Sequence, residues 1–182
     1  VCNNNSTDAT ASVAGASGAI VVDQPLRGYG NACLAGMAYI KDRPLVEQPD
    51  IIVFMDGDYS DYPQEMKALL SPIMEGKDMV IGSRVKGNPD LGSLTIPQRF
   101  GNWLATRLIH MMYGFRFSDL GPFRAIRWQK LLSLDMQDKN YGWTVEMQVK
   151  ALQQHLACAE VPVSYRKRIG TSKVSGTVKG SI

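Results

Sequence analysis

The sequence predicts a layered α/β domain built around a largely parallel sheet. Apolar runs of strand length alternate with stretches of helical period through most of the chain. The run Ile51-Ile52-Val53-Phe54-Met55 is apolar at every position, the pattern of a strand covered on both faces. Acidic and basic residues gather just after strand ends, where open α/β sheets hold their ligands.

The elements follow in order. Val1-Cys2 reads as the tail of a strand, and the turn-rich Asn3-Asn4-Asn5-Ser6-Thr7 follows it. Ser6, Thr7 or Asp8 caps a helix reaching about Gly15. Ala19-Ile20-Val21-Val22 is a short strand, residues 26–31 are a Gly-bearing loop, and a helix runs on to about Lys41. The strand 51–55 stops at Asp56-Gly57-Asp58, and Pro63 suits the first turn of a helix ending near Glu75. Met79-Val80-Ile81 is a strand closed by Gly82-Ser83-Arg84, and residues 85–96 form a loop rich in Gly, Pro and Asn. From Pro97 to about Tyr113 a helix carries Phe100, Leu104, Leu108 and Met111 on one stripe. Residues 123–126 read as a strand, 143–155 as a helix and 160–165 as a strand. A first residue already inside a strand, and a polar Gly-rich end over 173–182, lead us to expect a single domain, 1–182, that lacks its first strand and a C-terminal extension.

Composition narrows the classes. The 182 residues suit one domain, and 45% hydrophobic with 20% charged residues excludes a disordered chain. A net charge of +3 lacks the clustered excess of a nucleic-acid-binding domain, so none is expected as a partner. Cys2, Cys33 and Cys158 stand far apart and form no CxxC pair, which reads as reduced thiols in a cytoplasmic protein. His110 and His155 lie on separate segments, which argues against a His/Cys metal site and against a Ser-His-Asp triad. No apolar run reaches the roughly 18 residues of a membrane span, and no signal peptide is visible. Asn5-Ser6-Thr7 matches the glycosylation sequon, which means little without a secretory signal.

Asp56, Asp58 and Asp61 fall within six residues after the clearest strand. Carboxylates this close repel one another, and a hard divalent cation relieves the repulsion. Mg²⁺ binds through one or two carboxylates plus substrate phosphates, and Asp-x-Asp at a strand end fits; a plain turn is the competing reading. Arg84 offers a fork to a diphosphate or else a surface ion pair, and the run Arg166, Lys167, Arg168 with Lys173 offers a phosphate clamp or else a solvated basic face. Gly28-Tyr29-Gly30-Asn31-Ala32-Cys33 lacks the third glycine of a dinucleotide fingerprint, yet it follows a strand, opens a helix and lets backbone approach a nucleotide. Neither a Walker A string nor GxSxG occurs. Met111, Met112, Tyr113, Phe115 and Phe117 read first as core; beside Arg107 and Arg116 they also suit a membrane-surface contact. Glu146 reads as an ordinary polar residue of its helix.

Taken in order, Asn3-Asn4-Asn5-Ser6-Thr7-Asp8, Gly28-Tyr29-Gly30-Asn31-Ala32, Phe54-Met55-Asp56-Gly57-Asp58-Tyr59-Ser60-Asp61-Tyr62-Pro63 and Gly82-Ser83-Arg84 resemble family 2 glycosyltransferases. Asp119-Leu120-Gly121-Pro122-Phe123-Arg124 and Arg168-Ile169-Gly170-Thr171-Ser172-Lys173 resemble the branch holding dolichol-phosphate mannose and polyprenyl-phosphate glucose synthases, a bacterial enzyme being expected. The resemblance implies a GT-A fold, a nucleotide-sugar donor such as UDP-glucose or GDP-mannose, and Mg²⁺ or Mn²⁺. It implies that Asp56 and Asp58 contact the metal and the donor diphosphate, and that Asp61 lies on the acceptor side. Arg84, Arg168 and Lys173 would hold phosphates, while Asn3, Gly28 and Gly30 would face the nucleotide. Two positions depart from the family pattern. Asn3 replaces an Asp, giving an amide contact to base or ribose, and Ser60 stands where some synthases place a glutamine.

The leading functional expectation is inverting, metal-dependent sugar transfer to a polyprenyl phosphate at the cytoplasmic face of a membrane. A phosphate oxygen is already nucleophilic at neutral pH and asks for little general-base help, which suits a chain with no obvious His base. A second expectation keeps the fold and attacks with a sugar hydroxyl, using Asp61 as base. A third is a non-catalytic nucleotide-sugar-binding module.

Overall fold

The computed structural model describes residues 1–170, and the chain divides into two compact units. The first comprises Val1–Pro49 and Asp135–Glu146. Its strands β1 (Cys2–Asn3) and β2 (Val22–Asp23) pair in parallel, Cys2 opposite Val22. Helix α1 (Thr10–Ala16) connects them, and the Asp8 carboxylate accepts the Thr10 N–H at 3.0 Å. Helix α2 (Tyr29–Lys41) follows Gly28.

The glycines here answer to backbone packing. Gly30 N donates to Asn140 O at 3.0 Å and Asn31 N to Lys139 O at 3.0 Å, so residues 138–140 lie directly on the start of α2. A Cβ on Gly30 would stand 1.9 Å from Asp138 O, and one on Gly28 2.1 Å from Lys139 O. Gly28 also sits at φ 141°, which favours glycine.

The second unit, Asp50–Leu134 and Met147 onward, holds β3 (Ile51–Phe54), α3 (Met66–Met74), β4 (Met79–Ser83), α4 (Ile96–Tyr113), β5 (Arg124–Arg127), α5 (Trp128–Ser133) and β6 (Cys158–Pro162). Helix α6 (Trp143–Gln153) bridges the chain from the first unit into the second. The ladder order is β3-β5-β4-β6. Strands β3, β4 and β6 run one way, and β5 lies antiparallel between β3 and β4. The expected shared direction is present, but strand 51–55 does not pair with strand 79–81, because β5 separates them.

Nor is β3 covered on both faces. All four of its residues are only partly buried, as befits the end of this ladder, whereas β4 is buried throughout. The core lies between α3 and the sheet, where Leu69 and Ile73 meet Val80, Phe123, Ala125 and Val163. Full burial of each of the Leu, Ile, Val and Phe side chains contributes about 1.5–3 kcal/mol.

Helix α4 starts with a capping box, Thr95 with Gln98, and stops at Gly114 with φ 75°. Its apolar stripe does not face the core. The stripe Phe100, Leu104, Leu108 and Met111 faces outward, and Met111 and Met112 are exposed rather than core. The inward face carries hydrogen-bonding groups: Asn102 donates to Ser118 O at 3.0 Å and accepts from Leu120 N at 2.8 Å. Buried Thr106 bonds Asn102 O at 2.8 Å. Satisfied amide and hydroxyl groups thus hold α4, with Ile109 and, beyond the helix, Phe117 supplying buried apolar surface.

Candidate active site

The segment after β3 is held in a tight internal network. Asp58 Oδ1 accepts Ser60 N at 3.0 Å and Ser60 Oγ at 2.5 Å. Between them Tyr59 adopts φ 72°, a left-handed conformation that costs a non-glycine residue on the order of 1–3 kcal/mol. The chain after β6 fixes it there: Arg166 N donates to Ser60 O at 3.0 Å and Ile169 N to Asp58 O at 3.0 Å. The Arg166 guanidinium bonds the Tyr59 and Asp61 carbonyls and stacks over the Tyr62 ring at 4.3 Å.

That alignment brings Arg168 to Asp58, Nη2 on Oδ2 at 3.2 Å. The acidic strand end and the basic segment, remote in sequence, therefore form one cluster in the second unit. Ser60 is fully buried and serves Asp58 internally.

Asp61 is 3% exposed. Its Oδ2 accepts the Asp56 N–H at 3.2 Å, while Oδ1 is buried with no hydrogen-bond partner among the described residues. Burial, aided by the negative charges of Asp56 and Asp58, pushes its carboxyl up to about 7; the Asp56 N–H and the Arg84 charge oppose the rise.

Arg84 does not present an open fork. Its Nε meets Asp119 Oδ2 at 2.8 Å and its Nη2 meets Oδ1 at 2.7 Å, and Arg84 N also donates to Oδ2 at 2.7 Å. The guanidinium lies over the Tyr165 ring at 5.0 Å. Burial disfavours its charge, but the hydrogen bonds and negative charge of Asp119 outweigh burial and hold it above the usual arginine range. Asp119 is itself anchored: its N–H donates to Glu160 at 3.2 Å, and Glu160 also takes Ser118 N at 2.8 Å and Lys86 at 2.8 Å. A Cβ on Gly121 would stand 2.8 Å from Gly82 O, so this turn closes on β4 only with glycine.

Asp119, Glu160 and Arg166 are not among the site residues expected from the sequence: Asp119 orders Arg84 directly, Glu160 anchors Asp119, and Arg166 fixes the turn that carries Asp58 and Asp61. Asp119 stood in the string 119–124 and Arg166 in the basic run; nothing in the local pattern marked Glu160. In the first unit, Asn3 Nδ2 donates to Asp23 Oδ1 at 2.8 Å, and Gly28 and Gly30 pack under residues 138–140. Glu146 accepts the N–H groups of Gln137 and Asp138, each at 2.8 Å, a structural task. Lys173 lies outside the described residues.

Among the described residues no cluster of three or more His, Cys, Asp or Glu side chains is arranged to hold an ion. A hard cation that keeps water and phosphate oxygens needs only one or two carboxylates. Asp58, partly exposed and turned toward Arg168, with Asp56 two residues before it, fits that mode. The orphaned Asp61 Oδ1 is a further anionic-capable oxygen beside them.

The α/β architecture is GT-A-like. The protein aligns over 93% of its length with glucosyl-3-phosphoglycerate synthase from Mycobacterium tuberculosis, solved with Mn²⁺, UDP-glucose and phosphoglyceric acid, at TM-score 0.69 and 25% identity. It spans 59% of that longer chain. The family model for glycosyl transferase family 2 matches residues 1–137, and the chain belongs to that family of glycosyltransferases. An uncharacterized glycosyltransferase of M. tuberculosis is 35% identical over all of this chain and 80% of its own length. A dolichyl-phosphate hexose transferase of Haloferax volcanii is 31% identical over all of this chain and 75% of its own. An undecaprenyl-phosphate mannosyltransferase of Micrococcus luteus is 28% identical over 84% of this chain and 63% of its own.

Proposed function

We propose that the protein transfers a hexose from a nucleoside-diphosphate sugar to a polyprenyl phosphate, with inversion and with Mg²⁺ or Mn²⁺. The observation that carries this reading is the Asp58–Arg168 contact of 3.2 Å, which joins a metal-competent carboxylate to a phosphate-competent guanidinium. Two relatives named for polyprenyl-phosphate acceptors support the acceptor class.

In this reading Asp56 and Asp58 hold the metal, which when bound stabilises the negative charge of the leaving diphosphate. Arg168 and Lys173 hold phosphate oxygens. Arg84 contributes its charge from a fixed position set by Asp119. Asn3 contacts base or ribose, and Gly28 and Gly30 shape the nucleotide loop, by the family resemblance alone. The acceptor phosphate is ionised at neutral pH, so the protein's task is alignment and charge compensation.

One observation favours a second reading, a hydroxyl acceptor. A carboxyl pushed up to about 7 suits a general base at neutral pH, and Asp61 is such a group. Its near-complete burial and its bond to Asp56 N favour a structural task instead.

The test offers labelled UDP-glucose and GDP-mannose with Mn²⁺ to undecaprenyl phosphate, dolichyl phosphate and 3-phosphoglycerate separately. Label entering only the lipid extract supports the proposal. Label entering only phosphoglycerate overturns the acceptor assignment. The Asp61→Asn variant should keep most lipid transfer; its complete loss with donor binding intact would favour the hydroxyl reading.

A further inference from the structure

We propose that the outward face of α4 docks on the surface of an anionic lipid bilayer. This inference rests on α4 and its flanks and does not depend on which acceptor is used.

The helix is turned inside out relative to a globular one. Its inward side is held by Asn102 and Thr106, while Phe100, Trp103, Leu104, Leu108, Met111 and Met112 are 41–75% exposed. Phe100 and Trp103 pack their rings at 5.9 Å on the outer surface. A contiguous apolar face of this kind needs a cover.

Charge selects the occupant. From 91 to 118 the chain carries Arg99, Arg107 and Arg116 and no Asp or Glu, although the protein's net charge is only +3. Arg99 and Arg107 are exposed on α4 itself, and their stems can lie along apolar surface while the heads reach phosphate. Aromatic and Met side chains beside arginines, with no acid, match the composition of an interfacial helix. Among the described residues no helix is long and apolar enough to cross a membrane; the contact proposed for α4 is with the bilayer surface.

Trp103 makes the test direct. The protein has three tryptophans; Trp128 and Trp143 are each 1% exposed, and Trp103 is 54% exposed. The whole chain is mixed with vesicles of phosphatidylcholine, alone or with phosphatidylglycerol, without donor or polyprenyl phosphate. We expect co-sedimentation with the anionic vesicles and a blue shift of emission that disappears in Trp103→Phe. The pair Phe100→Ser with Trp103→Ser should weaken vesicle binding about tenfold or more while leaving thermal stability unchanged. The pair Arg99→Gln with Arg107→Gln should weaken it on the order of tenfold, on anionic vesicles only. No binding by the folded chain, or undiminished binding by the Phe100/Trp103 variant, overturns the proposal. So does self-association that this variant abolishes without any vesicle binding, which would assign the face to a second copy of the chain.

Discussion

Arg84 and Asp119 meet edge to edge through two parallel hydrogen bonds of 2.7 and 2.8 Å, with side-chain exposures of 13% and 1%. Removing one partner of such a buried pair leaves the other charge uncompensated, a cost of about 3–5 kcal/mol. Asp119→Leu should therefore lower stability by that order in chemical denaturation. Arg84→Met combined with Asp119→Leu should recover much of the loss. A double variant as unstable as the sum of the single ones would show that the pair is not coupled.

Asp61 should make stability fall as pH rises. Its folded carboxyl is raised to about 7 from a reference of 3.8, so between these values the folded state holds a proton that the unfolded chain releases. Stability is highest below the unfolded value and is lost progressively up to about pH 7, by on the order of a few kcal/mol. Asp61→Asn keeps an acceptor for Asp56 N and removes the ionisation. Denaturation at pH 5 and pH 8 should show the variant gaining on the wild type at pH 8.

Asp58→Asn separates binding from folding. Its ion pair with Arg168 is partly exposed, 23% and 31%, and pairs of that kind contribute about 0–1 kcal/mol. Melting temperature should move little, whereas metal-dependent donor binding should be lost. Intact donor binding would remove Asp58 from the metal site.

Gly30→Ala and Gly15→Ala should act in opposite directions. The first drives a Cβ to 1.9 Å from Asp138 O and should lower the melting temperature or prevent folding. The second meets nothing within 4 Å inside α1 and should stabilise by about 0.5–1 kcal/mol. Thermal melts of both variants check this.

Much of the fold was legible because local pattern and tertiary demand agree. The strand at 51–55, the helix from Pro97 and the acidic strand end all stand where periodicity and turn chemistry put them. What the sequence hid was pairing. The insertion of β5 between β3 and β4 depends on contacts between residues more than 40 positions apart, such as Val80 with Ala125. The α4 stripe was legible but its direction was not, because an apolar stripe marks a face that avoids water without saying what covers it, and here Asn102 and Thr106 turn the other face inward. At the site, three acids in six residues announced chemistry, whereas Asp119 and Glu160 became visible only when folding brought them to Arg84 and Lys86. The glycines at 28 and 30 read as nucleotide-loop residues; their close approach to residues 138 and 139 gives them a packing reason as well.

In the proposed reaction Asp56 and Asp58 hold a metal through which a nucleotide sugar binds. Calorimetric titration with UDP-glucose and GDP-mannose, each with and without Mn²⁺, tests it most directly. One donor should bind, only with Mn²⁺, and Asp56→Asn and Asp58→Asn should both abolish the binding. Binding of equal strength without metal, or unchanged in both variants, would contradict it.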